Sequence, residues 1–140
     1  MKILAVDLGM SRTGVALCDQ NEVLAYPIGV IFQKDPDKLL VELSDAITQH
    51  APGLVVFGLP KNMDNSEGDS ANYVRDFAEK LSPSINCDIT FHDERMSTVT
   101  AHNYLNQTNT RGKKRKNIVD AVAAVVILQS YLDYRKNNPS

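Results

Sequence analysis

Lys2-Ile3-Leu4-Ala5-Val6-Asp7-Leu8-Gly9-Met10-Ser11-Arg12-Thr13-Gly14-Val15-Ala16-Leu17-Cys18 is the stretch on which the fold turns. An apolar run closes on a carboxylate at Asp7, a turn passes through Gly9 to Arg12, and a second apolar run follows from Thr13 to Cys18. Two strand-like runs joined by a glycine-containing turn predict a hairpin-like start. Working outward, Asn21 marks another turn, and Val23 to Phe32 offers a third strand interrupted by Pro27 and Gly29. Three strands in succession predict an antiparallel meander.

The pattern then changes period. Asp35-Pro36-Asp37 supplies helix-start chemistry, Leu40, Leu43 and Ile47 recur at helical spacing, and Pro52-Gly53 ends the segment. Leu54-Val55-Val56-Phe57 is a continuous apolar run, as expected of a strand covered on both faces. Gly58 to Gly68 reads as a polar loop, too long for a simple turn, and long loops at strand ends often carry function. A helix is expected from about Asp69, with Val74, Phe77, Ala78 and Leu81 as its apolar stripe. Ile85 to Phe91 reads as a further strand, closed by His92-Asp93-Glu94-Arg95. Ser97 is a candidate N-cap for a helix to about Asn106, and Gln107 to Lys116 reads as a polar and basic linker. Ala121 to Leu128 is apolar at every position, which predicts a last helix surrounded by core. The order βββαβαβαα defines an α/β fold, a mixed five-stranded sheet flanked by helices.

At 140 residues the chain has the size of one domain, spanning 1–140, with enough material for a core of its own. Apolar residues at 43% and charged residues at 23% exclude the signature of a disordered chain. The short apolar run before Asp7 is no signal-peptide core, and no stretch approaches the roughly 20 apolar residues of a membrane helix; a soluble, cytoplasmic protein is expected. Cys18 and Cys87 stand far apart without a CxxC spacing, and both read as small buried apolar residues rather than metal ligands or redox groups. The net charge of −2 argues weakly against a nucleic-acid partner, but distribution outweighs the total. Five of the six residues from Arg111 to Lys116 are basic, enough for one strongly positive surface on a slightly acidic protein.

Three carboxylates carry the chemistry. Asp7 ends the first apolar strand, Glu94 ends a later one in the same way, and Asp120 immediately precedes the buried helical run. Singly, each has a bland explanation in solvation or the helix dipole. Together they converge, because parallel strands of an α/β sheet present their C-terminal ends on one edge, where sites form. Clustered carboxylates stay ionised together only when a cation compensates them, and oxygen ligands without His or Cys select Mg²⁺ or Mn²⁺. Two such ions about 4 Å apart can drive an in-line phosphodiester displacement by water. Arg12 could hold the scissile phosphate in a bidentate contact, and Lys113, Lys114, Arg115 and Lys116 could grip phosphates, Asp120 lying four residues beyond Lys116. His92 and His102 are read as bystanders, since metal can lower the pKa of its own water. Tyr26, Tyr73 and Tyr104 are dispersed and suggest no base-stacking platform.

These residues fall into four blocks with a recognisable order: Asp7-Leu8-Gly9-Met10-Ser11-Arg12-Thr13-Gly14-Val15-Ala16; Gly58-Leu59-Pro60 with Asn62-Met63-Asp64 and Glu67-Gly68; Asp93-Glu94-Arg95 with Ser97-Thr98; and Asp120-Ala121-Val122-Ala123-Ala124 with Ile127 to Leu132. Over nearly the whole chain they resemble the YqgF/RuvX family. The resemblance implies a ribonuclease H-like fold and a nuclease, either maturing the 5′ end of pre-16S ribosomal RNA or resolving Holliday junctions. It implies that Asp7, Glu94 and Asp120 match the family's acidic metal-binding positions. Met10-Ser11 replaces the more usual Thr-Lys-like pair before Arg12, which bears on a substrate contact rather than on the reaction. The expected partner is nucleic acid, structured RNA or branched DNA, acted on by a monomer or homodimer. Junction cutting would require paired active sites. A non-catalytic nucleic-acid-binding module is the reading from another class, and an actin-like ATPase is set aside because it needs two such lobes.

Overall fold

The structure, a computed structural model, describes residues 1–62, 64–94 and 112–138, with the backbone course alone for residues 112–121. Three strands open the fold, β1 (Ile3–Asp7), β2 (Arg12–Cys18) and β3 (Ala25–Phe32), followed by helix α1 (Pro36–His50), strand β4 (Leu54–Leu59) and helix α2 (Asp69–Leu81). A 3-10 turn (Ser82–Ser84), strand β5 (Asp88–Asp93) and the long helix α3 (Gly112–Asn137) complete it.

The five strands form one sheet in the order β3-β2-β1-β4-β5. β1 is its pivot: antiparallel to β2, with Asp7 opposite Gly14, and parallel to β4, with Val6 opposite Phe57. β2 and β3 are antiparallel, with a register shift between Val15 and Ala16, and β4 and β5 are parallel. The meander and the mixed sheet are therefore as the sequence predicts.

Alternation along the strands divides the core into two layers. Leu4 and Val6 of β1 join Val15, Val55 and Phe57 against α1 and α2, where Leu39, Leu43, Ile47, Val74 and Phe77 meet them. Ile3 and Ala5 face the other way, with Ala16, Cys18 and Val56, onto Ala124, Ile127, Leu128 and Tyr131 of α3. All six residues of β4 are buried, which is why its sequence shows no alternation.

Helix α1 starts where the sequence indicates. The Asp35 carboxylate accepts the backbone N–H groups of Asp37 and Lys38, and Pro36 fills the first helical turn, where no N–H is needed. The helix ends at Ala51, in the left-handed region at φ 49°, immediately before Pro52.

Several expectations need correction. Leu39, not Leu40, is the fully buried residue of the first turn of α1; Leu40 packs at the margin. β5 begins at Asp88 rather than Ile85, because Ser82-Pro83-Ser84 coils into a 3-10 turn and Ile85 is buried at its exit. Gly112 to Lys116 belongs to α3 and not to a linker. Finally, α3 is not enclosed on all sides: Val122, Ala124, Val126, Ile127 and Leu128 are buried, whereas Ala123 and Val125 are half-exposed. The helix expected from Ser97 to Asn106 lies outside the described residues. Cys18 is buried as expected, its sulfur accepting the Ile3 N–H at 3.3 Å, whereas Cys87 departs from the expected burial and is half-exposed beside β5. Among the described residues, no helix is long and apolar enough to cross a membrane.

Candidate active site

Because β1, β4 and β5 are parallel, their C-terminal ends share one edge of the sheet, and Asp7, Leu59 and Asp93 are the last residues of those strands. Gly58 pairs with His92, so the residue two beyond His92, Glu94, leaves the sheet beside the end of β4. Its carboxyl arm lies over Gly58. A Cβ at position 58 would fall 2.8 Å from Glu94 Cγ, 3.0 Å from Oε1 and 2.5 Å from Ile127 Cδ1 of α3. The absence of a side chain at Gly58 therefore opens the passage through which Glu94 reaches Asp7, and the two carboxyl groups share a hydrogen bond.

Such a contact requires a proton. Burial, reinforced by that hydrogen bond and by the charges of Asp7 and Asp93, pushes the Glu94 carboxyl up to about 8. Two acids held this close ionise together only beside a compensating positive charge. The donor set, oxygen only, suits a hard divalent ion. Among the described residues, no group of three or more His, Cys, Asp or Glu side chains gathers. The side chain of Asp120 lies outside them; its backbone belongs to α3, seven residues and about two turns before Ile127. α3 runs from the Asp7–Glu94 edge, where Ile127 meets Gly58, down to the opposite edge, where Arg135 bonds Glu22 at 2.9 Å.

The turn between β1 and β2 lies on the same edge. A Cβ on Gly9 would come 2.1 Å from the Arg12 carbonyl oxygen, so the turn closes only on glycine. Thr13, a fully buried polar residue, accepts the Gly9 N–H through Oγ1 at 3.4 Å. Arg12 opens β2 at this edge, half-exposed, with its guanidinium 5.9 Å from the ring of Phe32 on β3. Lys113, Lys114, Arg115 and Lys116 occupy the first turns of α3, and Asp120 follows Lys116 by about one turn. Arg95 and His102 lie outside the described residues.

Three features escaped the sequence reading. Gly58 belongs to β4 rather than to the loop after it, and its role depends on the β4–β5 register. The loop from Pro60 to Gly68 is internally bonded: Asn62 N–H donates to the Ser66 carbonyl at 2.8 Å, and Ser66 N–H to Asp64 Oδ1 at 3.0 Å. Arg75 then secures it, gripping Glu67 through Nε at 2.7 Å and Nη2 at 2.9 Å while lying 4.7 Å from the Phe91 ring on β5. His92 is half-buried, its Nε2 hydrogen-bonded to Ser130 Oγ at 2.8 Å, and burial holds its imidazole below the usual range. That bond engages His92 with α3.

The sheet order and the carboxylates at its edge define a ribonuclease H-like fold with an acidic centre. Two solved resolvases share the fold: Thermus thermophilus RuvC bound to a Holliday junction (TM-score 0.65, 9% identity, covering 99% of this chain and 97% of that one) and the Fowlpox virus resolvase with junction DNA (TM-score 0.59, 12% identity, 96% and 98%). Residues 1–134 match the family model described as "RuvX: Holliday junction resolvase", and the chain belongs to that family. Its relatives include proteins named "Putative pre-16S rRNA nuclease" from Agathobacter rectalis, 35% identical over the full length of both chains, and from Roseobacter denitrificans, 41% identical over 94% of this chain and 82% of that one.

Proposed function

We propose that this chain is one nuclease domain that hydrolyses phosphodiester bonds with the help of a divalent metal, acting in the cytoplasm on the 5′ end of precursor 16S ribosomal RNA. The observation that carries the reading is the shared hydrogen bond between Glu94 and Asp7 at the sheet edge, with Glu94 pushed up to about 8. Asp7 and Glu94 would hold the ion, with Asp120 as the third ligand. Mg²⁺ or Mn²⁺ held there would supply charge to offset the carboxylates and Lewis acidity toward water and the scissile phosphate.

The chain's own side chains account for the remainder. On ionising, Glu94 and Asp7 would give up their mutual bond and turn both carboxylates to holding the ion. Arg12, at the same edge, orients a phosphate oxygen by charge-assisted hydrogen bonds. Lys113, Lys114, Arg115 and Lys116 hold flanking phosphates, so affinity falls as salt rises. RNA is favoured because the full-length relatives carry names of precursor-rRNA nucleases. Cleavage of four-way DNA is the second reading, favoured by the family model's description and by the two resolvases that share the fold.

The test is to incubate the protein with labelled precursor rRNA 5′ fragments and with four-way DNA junctions, in Mg²⁺, Mn²⁺ or EDTA, beside Asp7→Asn and Asp120→Asn. Metal-dependent cutting of RNA that both variants lose is the expected result. Symmetrical junction cutting would transfer the assignment to DNA. Binding of both substrates without cutting under any metal would leave a binding module.

A further inference from the structure

The contact between β5 and α3 does not end at Glu94. Strand alternation puts His92 on the same side of the sheet as Glu94, and the α3 residues facing it continue the stripe that starts with Ile127. Ser130, Tyr131 and Tyr134 follow Ile127 at three, four and seven residues, the spacing of one helical face.

Three rings meet there. His92 stands edge-on to Tyr131 at 5.7 Å and 77°, lies 6.2 Å from Tyr134, and is fixed by its bond to Ser130. Tyr131 and Tyr134 lie 6.3 Å apart with their planes only 28° from parallel. Tyr131 is buried at 9% exposure, whereas Tyr134 is 55% exposed. Two anchored rings thus support a third that presents a large part of its surface to solvent.

We propose that Tyr134 is a stacking platform for an unpaired nucleobase of the substrate. The proposal rests on the nucleic-acid reading above and narrows it to substrates with an unpaired nucleotide beside the cut. A nucleobase offers a π-face whatever its identity, and a ring already held by neighbours loses little freedom when a base settles on it. Position supports the assignment. His92 precedes Glu94 by two residues, on the order of 7 Å along an extended chain, and Tyr134 adjoins His92. The platform therefore lies within a few nucleotides of the acidic centre, along a single helix–strand contact.

The test is a thermodynamic cycle. Equilibrium binding of a short single-stranded RNA is measured in EDTA, so that nothing is cut, for the native chain, Tyr134→Phe and Tyr134→Ala. The same RNA carrying one abasic residue at successive positions supplies the other side of the cycle. Tyr134→Ala should weaken binding roughly ten-fold, and Tyr134→Phe, which keeps the ring face, should bind like the native chain. One abasic position should produce the same loss in the native chain and almost none in Tyr134→Ala, the non-additivity that marks direct contact. Unfolding curves establish that the alanine variant is folded. If the native chain binds RNA and Tyr134→Ala binds it equally well, or if every abasic loss adds to that of Tyr134→Ala, the platform is overturned while the nuclease assignment stands. If the native chain binds neither this RNA nor the precursor fragments, with or without Mg²⁺, both fall together.

Discussion

The Glu94 carboxyl arm occupies the space that a side chain at Gly58 would fill, within 3.0 Å of where its Cβ would lie. Gly58→Ala therefore meets Glu94 on one side and Ile127 on the other, so one of those side chains must shift. Overpacking of this kind costs about 1–3 kcal/mol. The expected outcome is a lower melting temperature and a loss of cutting larger than the loss of substrate binding, measured by thermal unfolding and single-turnover cleavage. Unchanged cleavage would mean that Glu94 reaches its working position by another path.

The Glu94–Asp7 contact gives the metal-free protein a characteristic pH response. Glu94 titrates near 4.5 in an unfolded chain and at about 8 in the fold, so between those values the folded state holds the extra proton. Its contribution is fully present below the unfolded value and is lost as pH rises through the folded one. Urea unfolding in EDTA should show stability declining between those limits by roughly a few kcal/mol. Glu94→Gln should remove that slope, and saturating Mg²⁺ should flatten it in the native chain. A native profile that rises with pH over this interval would contradict the shared proton.

Thr13 is buried and accepts the Gly9 N–H inside the first turn. Thr13→Val leaves that donor unmatched and should cost about 1 kcal/mol, with Thr13→Ser recovering most of it. Chemical denaturation of both variants is the measurement, and equal stability would show that solvent satisfies the turn.

Arg75 joins the Pro60–Gly68 loop to β5 through Glu67 and Phe91. Arg75→Met keeps a long side chain but loses the fork and the charge, so cleavage between Pro60 and Gly68 by added protease should accelerate while global unfolding changes little. Arg75→Lys should fall between, because a point charge cannot reproduce the two-pronged contact. Equal digestion of all three chains would mean that the loop's own hydrogen bonds hold it.

Asp7 was legible in sequence because a charge closing an apolar strand is conspicuous, whereas Glu94 stands one residue beyond the end of β5; the parallel arrangement of their strands followed from the alternating order of elements. Gly58 was not legible as a site residue, since its role exists only once the pairing with His92 sets which side chain crosses it. Leu39 and Leu40 are adjacent and equally apolar, so periodicity left the buried member to the docking angle of α1. The run from Lys113 to Lys116 lacks an apolar stripe and reads as linker, yet lysine and arginine are good helix formers, and the apolar segment beyond nucleates a helix that extends back through them. The ring cluster escaped for the same reason as Gly58: His92 and Tyr134 meet only across two elements.

The layer formed by Ile3, Ala5, Ala16 and Val56 has its cover in α3, the last described element of the chain. During synthesis the opposite face of the sheet can be closed by α1 and α2 while this one stays bare, because its lid has yet to leave the ribosome. A nascent chain halted before Gly112 would thus lack the α3 residues that pack on this layer. The same late helix contains Asp120, so closure of this layer and delivery of the third proposed ligand depend on one element.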